Sequence, residues 1–273
     1  MSLNIPDLLD REWQAFWLSV KSFTRLPTPH VAYSTVQMQR ASSYLPWVGW
    51  VIGGICALAF LGLQSLWGTG LAIWATLALG IWITGAFHED GFADFCDGMG
   101  GGWTTDQVLR IMKDSYLGTF GVLGLITSFL LKGNALLLLE PSQIPLALVL
   151  MHSYSRFGAV LLQNISSYVQ RDEHSKMRLL AAPHSPWRLL VAGLASVVLA
   201  ALLVEGIFLL SFLVGGFVIV LLMRRYLNKR LGGYTGDCLG ALEQILELFV
   251  VVVGWCSIRH GWHFVGGRLC LWR

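Results

Sequence analysis

Long apolar runs separated by short polar stretches dominate the chain. A helix needs roughly 20 apolar residues to cross the hydrocarbon core of a bilayer. Runs near that length fall at 45–67, 70–87, 117–139, 144–163, 189–204, 206–223 and 241–258. The pattern predicts an all-α, polytopic membrane bundle of about seven transmembrane helices. Six to eight spans are allowed, because only Glu205 and Gly206 divide the fifth run from the sixth; a tight hairpin fits that length better than one tilted helix. Ahead of the first run, Trp13, Phe16, Trp17, Val20 and Phe23 recur every three or four residues with Arg11, Lys21 and Arg25 among them. That rhythm predicts an amphipathic helix lying in the interface within residues 1–30. The same stretch carries acids and no long apolar core, so it is not read as a cleaved signal peptide. With no internal repeat and only short connections, residues 1–273 are expected to form a single integral membrane domain with a tail at 259–273.

Composition strengthens the membrane reading. The 273 residues are 55% hydrophobic and 13% charged, where a soluble domain has about a quarter charged. A net charge of +3 gives no reason to expect a nucleic-acid partner; membrane lipid is the expected surrounding. Five cysteines without a CxxC pair argue against a disulfide framework or a structural zinc site. Charge placement then orients the bundle, because Lys and Arg in short loops collect on the cytoplasmic side. Fourteen of the 19 bases, from Arg11 to Arg230, fall on one side, and the opposite interhelical loops carry none. The N-terminus and the polar loops 88–116, 164–188 and 224–240 are therefore expected to face the cytoplasm. With seven spans the tail falls outside, against the rule.

The densest acidic stretch, HEDGFADFCDGMGGG at 88–102, directly follows the second run and precedes any base until Arg110. If the second helix runs on through Asp97, then Asp90, Asp94 and Asp97 lie within roughly 60° of one another on one stripe. Like charges this close repel, unless a hard divalent cation sits among them. Oxygen-only ligands point to Mg²⁺ or Mn²⁺ rather than Zn²⁺. The glycines at 98 and 100–102 would end the helix and let backbone N–H groups approach an anion, and His88 is a candidate base or phosphate contact. Two further stretches look like phosphate-cradling ends: RIMKDSYLGTFG at 110–121 and NKRLGGYTGDCLGA at 228–241. Both set glycines before a helix start, with Lys113, Lys229 and Arg230 supplying countercharge. Arg224 and Arg225 are expected to be cytoplasmic anchors only.

TGAFHEDGFADFCDGMGGG, RIMKDSYLGTFG, the Ser155–Arg156 pair in a span, and NKRLGGYTGDCLGA resemble, in this order, the motifs of the cobalamin synthase family, the adenosylcobinamide-GDP ribazoletransferases. The resemblance runs from about Arg25 to Leu248. It implies a polytopic inner-membrane enzyme with its active face in the cytoplasm, joining adenosylcobinamide-GDP to α-ribazole or α-ribazole 5′-phosphate with release of GMP, and using Mg²⁺. The HxDGxxDxxDG pattern falls on His88, Asp90, Gly91, Asp94, Asp97 and Gly98. The KDS falls on Lys113, Asp114 and Ser115, and GGxTGD on Gly232, Gly233, Thr235, Gly236 and Asp237. Glu89 stands where that pattern is usually apolar. The resemblance also implies Asp90, Asp94 and Asp97 as metal ligands, Lys113 and Arg156 as phosphate clamps, and His88, Asp114 or Asp237 as the base. Lys132 and Glu247, ionisable groups within spans, are expected to line a functional cavity, or Lys132 simply to pair with Glu140 or Glu247. A homo-oligomer is left open.

Two other classes fit less well. A CDP-alcohol phosphotransferase would need a DGxxAR run, and DGFADF has Asp94 and Phe95 instead. A divalent-cation transporter would place its charges at mid-membrane on broken helices, whereas most acids here cluster at one face.

Overall fold

The computed structural model describes residues 5–31, 33–169, 183–198, 200–201 and 206–259. It is helical, as the runs predict: α1 (Ile5–Phe23), α2 (Thr35–Ser42), α3 (Leu45–Thr84), α4 (Phe87–Gly101), α5 (Thr105–Ile111), α6 (Thr119–Leu137), α7 (Ile144–Ile165), α8 (Pro186–Gly193, continued by a π turn at Leu194–Val198), α9 (Gly206–Leu231) and α10 (Gly236–Arg259). No strand occurs among the described residues; Tyr168 and Tyr234 form one isolated parallel bridge.

Among the described residues, α3, α6, α7 and most of α9 are long and apolar enough to cross a membrane. The 40-residue α3 is two helical halves. Its backbone leaves the helical region at Gly68, where φ is 75° and ψ is 166°, a conformation open to glycine but costly for a side chain. Cys56 of the first half then lies against Thr76 and Gly80 of the second, so the halves run antiparallel, matching the separate runs 45–67 and 70–87. The runs 117–139 and 144–163 correspond to α6 and α7. The run 206–223 begins α9, which continues to Leu231, and 241–258 lies within α10. The choice between hairpin and long helix at 202–205, the tail beyond 259, and Arg171, Lys176 and Arg178 lie outside the described residues.

The second span does not run on into the acidic stretch. Gly85 and Ala86 both take left-handed backbone angles, with φ of 68° and 61°. Their N–H groups close back on Trp82 and Ile81, ending the α3 helix, while Arg25 packs beside Gly85 and its N–H donates to Ile83 O at 2.7 Å. A β-carbon disfavours this conformation, and Ala86 is the only described residue other than glycine to adopt it. The acidic residues therefore ride on a separate helix, α4, whose direction is free of the span before it.

Helix α7 is the centre of the bundle and is mostly buried, whereas α9 leaves most of its apolar surface outside. Leu58, Leu66, Leu123, Leu130, Leu210 and Leu222 project outward from the long helices, as expected where lipid rather than water is the surrounding. The closest packing joins α3 to α7. Here Gly49 sits against the backbone at His152, and a β-carbon on Gly53 would come within 2.5 Å of Val149 Cα. Small residues let two membrane helices approach this closely. In α1, Val20 and Phe23 are buried against the bundle while Trp13 stays half exposed, so the predicted amphipathic helix has one face packed on protein.

Gly53→Leu is expected to force α3 and α7 apart, at a cost of about 1–3 kcal/mol for overpacking. Thermal unfolding in detergent should show a lower midpoint; an unchanged midpoint would mean that the helices do not meet at Gly53.

Candidate active site

The site is built where α4 and α10 cross. Gly91 of α4 lies directly on the backbone of Asp237: a β-carbon there would stand 3.0 Å from Asp237 Cα and 3.3 Å from its carbonyl oxygen. One turn further along α10, a β-carbon on Gly240 would meet His88 O at 2.9 Å. These two glycines leave no side chain between the helices, so the HxDGxxDxxDG and GGxTGD motifs are in backbone contact although about 140 residues separate them in the sequence.

The three aspartates of the α4 stripe meet different surroundings. Asp90 is exposed. Asp94 is partly buried, and its carboxyl is pushed up to about 7, first by desolvation and then by Asp237, Asp90 and Asp97 around it. Asp97 is buried and engaged: one oxygen accepts Gly118 N–H at 2.7 Å and the other Gly121 N–H at 2.9 Å. It thus caps the start of α6, where free N–H groups and the helix dipole favour an anion. Its neighbours Gly118 and Gly121 have no room for a β-carbon beside that carboxylate.

Asp237 lies in the first turn of α10. Burial raises its carboxyl, as does Asp90, against a hydrogen bond from Thr235 Oγ1 at 3.3 Å. The hydroxyl oxygen that accepts the Cys238 N–H belongs to Thr235, so Thr235 rather than Asp237 caps this helix. The glycine turn before it is held in place by its surroundings. Gly232 has φ of 80°, Gly233 is pressed against Ser167 O, and Tyr234 exchanges backbone bonds with Ser167 and Val169.

The remaining expected site residues divide between rim and interior. Lys113, Asp114, Ser115 and Lys229 are exposed, and Asp114 Oδ1 accepts the Tyr116 N–H at 3.2 Å. Arg230 donates to Gly102 O at 2.8 Å and Trp103 O at 3.4 Å, clasping the glycine end of α4. Gly98, expected as an anion contact, is buried with Met112 against its α-carbon. Two of them lie inside the bundle. Arg156, expected as a phosphate clamp, is fully buried at mid-α7 and donates to His152 O at 2.8 Å. His88, expected as a base, is 3% exposed and turned inward, with Nδ1 3.1 Å from Glu243 Oε2. Position 88 lies about 200° around the helix from 90, so the imidazole and the exposed carboxylate occupy opposite faces of α4.

Both inward residues join a layer of ionisable groups inside the bundle. Lys132 Nζ lies 3.0 Å from Glu247 Oε2 and donates to Gln244 Oε1 at 2.6 Å. His152 Nδ1 meets Glu247 Oε1 at 3.0 Å, and Gln244 Nε2 donates to Glu89 Oε1 at 3.1 Å. Arg156 faces Glu243 at 3.8 Å and Glu247 at 3.7 Å. Lys132 thus pairs with Glu247, and Glu140 plays no part in these contacts. Glu243, Gln244 and His152 had not been singled out from the sequence. The signal for the two α10 residues is the polar stripe Asp237, Gly240, Glu243/Gln244, Glu247 at helical spacing in an otherwise apolar run.

Among the described residues, no three His, Cys, Asp or Glu side chains converge as a metal-holding group. What the site offers is an all-oxygen set whose members repel one another at Asp90, Asp94 and Asp237. That suits a hard cation held by one or two carboxylates, with water and substrate phosphate completing its shell. It does not suit one enclosed by protein.

Fold and site together define a polytopic helical membrane protein with acids and a glycine-lined helix start gathered at one end of the bundle. The chain belongs to the cobalamin-5-phosphate synthase family, whose model matches residues 15–255. It is similar to proteins named adenosylcobinamide-GDP ribazoletransferase. It is 37% identical to that of Ralstonia pickettii (strain 12J) over 91% of this chain and 98% of the relative. The figure is 37% for Vibrio cholerae serotype O1, over 93% and 97%, and 39% for Shewanella oneidensis, over 89% and 95%. No solved structure matches.

Asp97→Ala removes both acceptors from the α6 N-terminus and is expected to cost about 1.5–3 kcal/mol, the range for a hydrogen bond to a charged group. Asp97→Asn, which keeps one acceptor, should fall between it and the wild type. Equal melting of all three in detergent would rule out the cap.

Proposed function

We propose that the protein is a Mg²⁺-dependent adenosylcobinamide-GDP ribazoletransferase of the inner membrane, acting at the cytoplasmic face in a late step of cobalamin assembly. The observation that carries this reading is the backbone contact of Gly91 with Asp237, which joins the two motifs of the family into one acidic, glycine-lined site. The bases on the same face, Lys113, Lys229 and Arg230, support a cytoplasmic site by the positive-inside rule.

The reaction joins adenosylcobinamide-GDP to α-ribazole or its 5′-phosphate. A ribose hydroxyl oxygen forms a bond to the phosphorus next to cobinamide, the pyrophosphate bridge to that phosphorus breaks, and GMP leaves with the bridging oxygen. Asp90 and Asp94 would hold Mg²⁺, which when bound neutralises charge on the pyrophosphate oxygens. Asp237, a carboxyl raised by burial and seated against α4, is placed to take the hydroxyl proton. Backbone N–H groups at the start of α10 and the exposed Lys113 and Lys229 face the phosphate charge. Arg230, by holding Gly102 and Trp103, keeps the glycine end of α4 in place. Asp114 stays at the rim, and His88 supports α4 from within.

Purified protein in liposomes, given adenosylcobinamide-GDP, α-ribazole and Mg²⁺, should release GMP in step with corrinoid product. Asp94→Asn should lower the rate by at least about a hundredfold, about 3 kcal/mol of barrier. No GMP from well-folded wild-type protein would overturn the assignment.

The Asp94 carboxyl near 7 also sets a pH dependence. Raised by its surroundings, it holds a proton below that value, and the proton competes with a cation. Mn²⁺ affinity in the absence of substrate should therefore be flat above about pH 7 and fall by up to about tenfold per unit below it. Asp94→Asn should remove that step, as read by electron paramagnetic resonance; a step of the same size in the variant would assign the proton elsewhere.

A further inference from the structure

We propose that Gln244 is a positioning residue for this phosphotransfer site, a two-ended strut that sets the register of α4 on α10 through Glu89. The inference rests on the reading that Asp90, Asp94 and Asp237 act together.

The glycine contacts bring the helices close but do not fix where one stops along the other. Gly91 and Gly240 present flat backbone, and a flat surface without an interlocking side chain resists sliding weakly. Directional polar contacts must supply the register. Gln244 lies two turns beyond Asp237 on the same face of α10 and is 3% exposed. Its oxygen accepts from Lys132 Nζ at 2.6 Å and its nitrogen donates to Glu89 Oε1 at 3.1 Å. Glu89 immediately precedes Asp90, so this bond is fixed to the helix carrying the carboxylates.

A carboxamide suits this place. It accepts from a cation at one end and donates to an anion at the other, which neither a carboxylate nor an ammonium group can do. Lys132 is itself anchored by Glu247 at 3.0 Å, so the strut starts from a fixed point on α6. Glu89 brings a carboxyl to this contact, and Gln244 is the group that receives it.

The test uses the full chain, Mn²⁺ as the probe and GMP release as a separate readout. Gln244→Glu keeps the acceptor for Lys132 but turns a like charge on Glu89. It should raise half-saturating Mn²⁺ about tenfold and lower kcat about tenfold, with KM for adenosylcobinamide-GDP within about twofold. The double variant Glu89→Gln with Gln244→Glu restores one donor and one acceptor in reversed order, and should return both values to within about threefold of wild type. Should Gln244→Glu not be monodisperse, Gln244→Met breaks the strut while leaving Lys132 on Glu247, and the same losses are expected. A residue with only a structural role would lower yield and melting temperature and leave the constants of the surviving protein unchanged. Wild-type Mn²⁺ affinity and kcat in folded Gln244→Glu, or a double variant no better than the single, would overturn this inference alone. A wild type that neither binds Mn²⁺ nor releases GMP would overturn the site reading beneath it.

Discussion

A charged side chain inside an apolar bundle must find its partner within the protein, because neither lipid nor water is there to solvate it. Lys132 and Arg156 impose that condition on the centre of this structure; Glu247 and Gln244 meet it for Lys132, while Arg156 donates to His152 and lies within ion-pair distance of Glu243 and Glu247, with its Nε and Nη2 making no hydrogen bond among the described residues. The partners come from α6, α7 and α10, so the condition selects one way of assembling those three helices. A rotation of α10 by one residue would turn Glu247 away from Lys132 and leave two charges buried alone, a loss of several kcal/mol. Helix α4 joins the same layer through His88 and Glu89. The helix bearing the acids is thereby tied to the interior on one face and free to meet substrate on the other.

That arrangement divides the labour between the two faces of α4. The inner face carries groups whose contacts are with protein, and the outer face carries Asp90 and Asp94. Glycine makes the division possible, since Gly91 and Gly240 let α10 lie against the backbone of α4, bringing Asp237 to the outer carboxylates while Glu243 and Gln244 reach inward. A larger residue at either glycine would separate the rim from the layer beneath it.

Much of this was legible in the sequence, because its strongest signals are physical necessities. Apolar runs of bilayer length match the long apolar helices α3, α6, α7 and α9, including the turn near Gly68, whereas the run 189–204 meets only the shorter helix Pro186–Val198; the motif stretches at 88–102 and 228–241 lie together as their shared chemistry suggests. Other features depended on three-dimensional context that periodicity does not carry. The break at Gly85–Ala86 was hidden because Ala86 is a good helix former, and its left-handed angle is imposed by the close of α3 and by Arg25 beside it. Arg156 and His88 were read as site residues from their type and motif. Which face of a helix they occupy depends on the angle at which α4 and α7 meet α10, and only assembly sets that angle. Lys132 with Glu247 was readable as a pair, whereas Gln244 was not, because an amide in a span gives no sign of which charges it will stand between.

The α4 stripe shows how far spacing alone can mislead about chemistry. Asp90, Asp94 and Asp97 are one residue type on one helix face, and their steps of four and three suggest equal duty as three metal ligands. What lies opposite each of them differs. Asp97 meets two N–H groups of α6, so both oxygens already accept hydrogen bonds from a helix start that favours an anion. Asp94 is partly buried beside other carboxylates, and its proton affinity is raised first by desolvation and then by their repulsion, which a cation would relieve. Asp90 is open to solvent and can turn toward either. On the proposed reading the pair best suited to a divalent ion is therefore Asp90 and Asp94, with Asp237 across the helix crossing left to take a proton, while Asp97 fixes α6 against α4. Two or three open carboxylates leave coordination positions for water and for the oxygens of a pyrophosphate, which is what a cation must offer if its task is to meet charge on the substrate rather than to hold the fold together.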